Sequence, residues 1–90
     1  MTASPTHVTL TANTVATVTL DSDFKNIEVL NVDGSAAIYF TVDGTTPTVE
    51  GNGCNVLPAA IGALTVWAGR STDVVKLIST GTPKVSIRGL

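Results

Sequence analysis

The feature that most constrains this chain is how often it is interrupted. Asp21-Ser22-Asp23, Asp33-Gly34, Asp43-Gly44, Gly51-Asn52-Gly53, Pro58, Gly69 to Asp73 and Gly81-Thr82-Pro83 punctuate it roughly every ten residues, as in antiparallel sandwiches and barrels. Between the breaks side chains alternate. Ala16, Val18 and Leu20 share one face of a run from Thr14 to Leu20, opposite Val15, Thr17 and Thr19. Ile38, Phe40 and Val42 oppose Ala37, Tyr39 and Thr41 between Ala36 and Val42. Leu64, Val66 and Ala68 oppose Thr65 and Trp67, and Val85 and Ile87 face inward while Lys84, Ser86 and Arg88 face out. Period-two patterning belongs to half-buried strands.

Composition agrees with the pattern. The chain has 15 Thr and 12 Val, 30% of its 90 residues, where a helical bundle would use Ala, Leu, Glu and Lys. Disorder is opposed by 43% hydrophobic residues and a net charge of only −2. The expected fold is therefore all-β, an antiparallel β-sandwich or small barrel of about eight short strands. These are His7–Thr11, Thr14–Leu20, Asn26–Val32, Ala36–Val42, Asn55–Leu57, Leu64–Ala68, Val74–Ser79 and Lys84–Arg88. Residues 1–6, polar and holding Pro5, read as a flexible N-terminal arm, and residues 7–90 as one β domain. Asn26–Val32 and Val74–Ser79 are apolar on both faces, as in strands covered on both sides. The stretch 45–55 is a long loop, and 59–63 a loop or one helical turn.

Chemistry is scarce. His7 is the only histidine and Cys54 the only cysteine, so there is no internal disulfide and no Cys/His zinc set. Synthesis in a reducing cytoplasm fits that usage. His7 is the one candidate imidazole base but also an ordinary strand residue, and Cys54 has no neighbouring cation to activate it. Asp21, Asp23, Asp33 and Asp43 are expected to cap turns, with a surface calcium site as the alternative for Asp21-Ser22-Asp23. Gly51-Asn52-Gly53 lacks the lysine and following helix of a phosphate loop. Five scattered cations give no nucleic-acid stripe, no run approaches a membrane helix, and residues 1–7, without a charged and then an apolar stretch, do not read as a signal peptide. A start at Met1 without a leader is expected of a complete small gene product. The expected protein is not an enzyme, with no catalytic residues, no cofactor and no metal. What remains is contact. Tyr39 and Trp67 fall on outward faces, where they serve an interface, a loop-covered satellite core or a sugar-stacking platform. With Ser4, Pro5 and His7 they form the candidate interface.

Several phrases carry a resemblance. Ile27-Glu28-Val29-Leu30-Asn31, then Ile38-Tyr39-Phe40-Thr41-Val42-Asp43-Gly44-Thr45-Thr46-Pro47-Thr48-Val49, then Val56-Leu57-Pro58-Ala59 and the ending Val75 to Ser86 resemble small β-rich virion structural proteins of tailed actinobacterial phages. The likeness spans roughly residues 25–90. It implies a capsid decoration protein, made in the host bacterial cytoplasm, that binds the major capsid protein on the outer surface of the virion as a head-stabilising cement. It also implies a homo-oligomer, most often a trimer. The alternative is a tail- or fibre-associated adhesion or carbohydrate-binding module. The resemblance brings no active-site motif with it.

Overall fold

A computed structural model describes residues 5–90, excepting the side chains of residues 69–71. All six elements are strands: β1 (Thr6–Thr9), β2 (Ala16–Asn31), β3 (Ile38–Thr41), β4 (Asn55–Leu57), β5 (Gly62–Ile78) and β6 (Lys84–Gly89). They form one antiparallel sheet in the order β1-β6-β2-β5-β3-β4. The eight strand-forming segments expected from the sequence are all present, but four of them are fused in pairs into β2 and β5.

The fusion corrects two expected turns. Asp21-Ser22-Asp23 and residues 69–73 are continuous strand. A straight strand of 16 residues would run about 53 Å, yet the longest dimension of the molecule is 28 Å, so β2 must bend. The pairing register shows how. Between Thr19 and Phe24 β2 advances five residues while β5 moves only two, from Val74 to Thr72. Between Phe24 and Asn26 the imbalance reverses, two residues against the five from Thr72 to Trp67. Unequal advance of this kind bends strands and carries them from one layer of a sandwich to the other. It also switches the parity of the core: Val18 and Leu20 are buried before the corner, Ile27 and Val29 after it. Asp21, Ser22, Asp23 and Lys25 lie exposed at the corner, where polar side chains keep their water and the backbone keeps its strand bonds.

The sheet thus folds into two layers. The first is β1, β6, the C-terminal half of β2 and the N-terminal half of β5. The second is the N-terminal half of β2, the C-terminal half of β5, β3 and β4. Directly paired residues share a face, so the pairing assigns each side chain. Val85, Ile87, Ile27 and Val29 project inward from the first layer, and Val18, Val75, Leu77, Phe40 and Ile38 from the second. All belong to one buried cluster, closed by Leu10, Leu20, Val42 and Leu57.

One inward position is polar. Asn31, fully buried at the end of β2, donates through Nδ2 to the carbonyls of Ala36 and Pro58, each at 3.0 Å. Its Oδ1 accepts from the Gly34 amide at 3.0 Å. One side chain therefore fixes the β2–β3 turn and anchors the segment entering β5. Gly34 takes φ of +66° there, and a Cβ would run into the backbone of Ala60 and Ile61, so glycine serves both conformation and space.

Candidate functional site

The outer face of the first layer can be written from the register alone. One row across it is His7, Ser86, Leu30 and Ala63; the next holds Arg88, Glu28 and Thr65; the next holds Asn26 and Trp67. The hydrogen bonds agree. Arg88 Nε donates to Glu28 Oε1 at 2.8 Å, and Thr65 Oγ1 donates to Glu28 Oε2 at 3.4 Å. Trp67, 71% exposed, stands at the end of this face beside that polar row, and Ile61, 75% exposed, flanks its opposite end just before β5. Val32, just after β2, is also exposed. The middle row of the face is polar, and exposed apolar side chains stand at its margins.

The expected interface residues are thus only partly brought together. His7 and Trp67 share the outer face of the first layer. They lie three strand spacings apart, about 14 Å, and four residues apart along the strand direction. Pro5 is exposed just before β1; Ser4 lies outside the described residues, as does most of the expected arm. Thr6, assigned to that arm, is instead the first residue of β1, paired with Ile87. Tyr39 is on the outer face of the other layer, half-buried between Ile78 of β5 and Val56 of β4. One surface cannot use both aromatics from one copy of the chain. Val56 and Ile61 were missed by sequence reasoning. Alternation in Asn55-Val56-Leu57 would have exposed Val56, whereas Ile61 precedes its strand and carries no periodic signal.

A second feature is an open cleft of about 540 Å³ at the corner of the second layer, lined by Asp23, Val42, Asp43, Gly44, Thr72, Asp73, Val74 and Lys76. Its residues come from three distant segments, which is why the sequence did not announce it. Lys76 Nζ donates to the Gly44 carbonyl at 3.1 Å. The Thr45 hydroxyl at 2.6 Å, joined by the Thr45 amide at 3.1 Å, holds the Asp43 carboxyl below the ordinary aspartate value. Asp33 is lowered likewise, chiefly by the Ser35 amide, with the Lys84 amide adding to it. These two acids cap turns as expected; Asp21 and Asp23 do not, because their segment is strand. Among the described residues no cluster of His, Cys, Asp or Glu is arranged to hold a metal ion. The Cys54 thiol points to the Thr48 carbonyl at 3.7 Å, and His7 stands exposed on β1.

No protein-family model matches the chain, and no curated protein matches it in sequence. A solved structure similar to it is that of a family two carbohydrate esterase from Cellvibrio japonicus, with a TM-score of 0.42 and 10% identity. The likeness covers 97% of this chain and 34% of that one, so the chain spans about a third of that protein's length.

Proposed function

We propose that this domain works by surface contact rather than by chemistry on a substrate, as a capsid decoration protein that cements neighbouring copies of a major capsid protein on the outside of a phage head. The observation that carries the contact reading is Trp67. It is a large rigid side chain held at 71% exposure on a strand, at the margin of a layer whose centre is tied together by the Arg88–Glu28–Thr65 bonds. Such a side chain adds little to its own fold and much to a partner's. The assignment of that partner rests on the sequence resemblance.

The test is co-sedimentation with heads assembled from the cognate major capsid protein. Trp67→Ala should lower apparent affinity at least tenfold, as expected of an interfacial tryptophan, with an unchanged far-UV circular dichroism spectrum. Wild-type protein that fails to pellet with heads, or a folded variant that pellets equally well, overturns the reading. One observation favours a second reading: Asn26, paired with Trp67, and the neighbouring Thr65 and Glu28 are polar, a setting in which an indole stacks on a sugar ring. Glycan-array binding that Trp67→Ala abolishes would replace the capsid reading with an adhesion module.

A further inference from the structure

β5 has 17 residues, and its two neighbours do not cover it equally. β2 pairs along most of its length, from Gly62 to Leu77. β3 reaches only Lys76 to Ile78 on the other side. The N-terminal half of β5, Gly62 to Ala68, is therefore a free edge of the first layer among the described residues. Its inward side chains show the same opening: Leu64, Val66 and Ala68 are only half-buried, whereas Ile27 and Val29 on the adjacent strand are wholly buried.

Free edges are normally blunted, and two of the other three are. β1 has four residues preceded by Pro5, and β4 has three followed by Pro58. The free N-terminal half of β2, Ala16 to Leu20, is also uncharged, but its inward Val18 and Leu20 are already buried, so a partner there would cover nothing. Gly62-Ala63-Leu64-Thr65-Val66-Trp67-Ala68 has no charge and no proline, and it is rich in residues that favour strands.

We infer that this edge pairs antiparallel with the same edge of a second copy, about a two-fold axis through Thr65. The occupant follows from the side chains. An isologous antiparallel pair sets residue 65−n opposite residue 65+n of its mate. Thr65 then faces Thr65. Leu64 faces Val66 on the inner side, so the four half-buried side chains cover one another and extend both cores across the axis. On the outer side the small Ala63 faces the large Trp67, which gives each indole a place to lie. The parity of every residue is kept, so inward groups meet inward groups. Centring on Leu64 would set Val66 against Gly62, and centring on Val66 would set Trp67 against Thr65, each leaving a poorer match. No charge meets a like charge at the seam. A strip this narrow belongs with the small specific interfaces, below about 1,200 Å², so monomer and dimer should exchange at micromolar concentrations. This inference does not depend on the capsid reading, and its test contains no capsid.

Sedimentation equilibrium of the full chain should show a mass rising with concentration from 9.2 kDa toward twice that value. Thr65→Lys places two ammonium groups face to face at the axis while each remains on an exposed position beside Glu28 of its own chain. It should return the protein to monomer at every concentration, with its circular dichroism unchanged. A second arm avoids reliance on that variant. In a Cys54→Ser background, Thr65→Cys should form a covalent dimer under mild oxidation, while Thr82→Cys, exposed in the β5–β6 turn, should stay largely monomeric. A wild-type monomer across the range, a trimer, or a dimer that survives Thr65→Lys and fails to cross-link at Thr65→Cys overturns the inference.

Discussion

Replacing Asn31 should damage this fold more than any other single polar substitution. Its three hydrogen bonds, to the Ala36 and Pro58 carbonyls and from the Gly34 amide, are all at 3.0 Å and made by a residue with no exposed surface. Asn31→Ala removes all three. At about 1 kcal/mol net for each neutral bond, the loss is about 3 kcal/mol, before any cost of the space left behind. A domain of 90 residues has on the order of 5 to 13 kcal/mol in total. With a urea slope near 1 kcal/mol per molar, about the lower end for small proteins, the unfolding midpoint should fall by about 3 M. Asn31→Asp is the sharper variant. It keeps the acceptor for Gly34 but turns both donors into an oxygen facing two carbonyl oxygens, so at neutral pH it should cost more than Asn31→Ala. Burial and those carbonyls raise the carboxyl's pKa in the folded state. The penalty is then small where the carboxyl is protonated in both states, and it grows as pH rises above the unfolded value of about 3.9. The difference between Asn31→Asp and wild type should therefore be smaller at pH 3 than at pH 7. Urea titrations followed by far-UV circular dichroism measure this directly; Trp67 is too exposed to report on the core. An alanine variant that loses under about 1 kcal/mol, or an aspartate variant as stable as the alanine one at pH 7, would refute the view that one side chain holds these turns.

Two further outcomes follow from local geometry. Asp33 and Asp43 are held below the ordinary aspartate value by neighbouring Ser35 and Thr45 groups. The stability they contribute is thus present above the unfolded value, about 3.9, and disappears as pH falls through their folded values. Asp43→Asn should flatten the acid limb of the stability curve, and a carbon-detected titration that places the Asp43 midpoint at or above the unfolded value would contradict this. Gly89 lies against the Phe24 ring, which a methyl group at residue 89 would overlap. Gly89→Ala should cost about 1–3 kcal/mol by overpacking, and Phe24→Leu should recover part of it, so costs that simply add would show the two sites to be uncoupled.

What was legible in the sequence was whatever alternation carries. The segments that alternate announced their inward faces, and Val18, Phe40, Val85 and Ile87 are buried as their spacing requires; Asn26–Val32 and Val74–Ser79, apolar on both faces, did not. The outward placement of Trp67 came from the same rule. The corners were not legible. Asp21-Ser22-Asp23 has the composition of a turn because its side chains need water, and a bulged corner gives them that water without ending the strand. Asn31 was not legible either. It occupies the inward phase of Ile27 and Val29, and its partners lie three, five and 27 residues away, so only the closed fold explains a polar group there. Tyr39 shows the limit of alternation in another way. It faces outward as spacing demands, yet pairing on both sides leaves it half-buried.

The free edge is the strongest case of information that no local pattern holds. Leu64–Ala68 reads as a strand by its own alternation, and nothing within it says whether neighbours lie on one side or both. That is decided by a mismatch of lengths elsewhere. β3 runs antiparallel to β5, so only growth past Thr41 would carry it toward residue 62, and the Asp43-Gly44 turn stops that growth. The uncharged edge at 62–68 is a consequence of that turn and of the corner that carries β5 out of reach of β3. A charge within the edge would protect it. The chain places none there, while two of its other edges are short and proline-flanked and the third, in β2, has its inward side chains already buried. A sequence that leaves one edge open, half-covered on its inner side and matched to itself is behaving as an interface would.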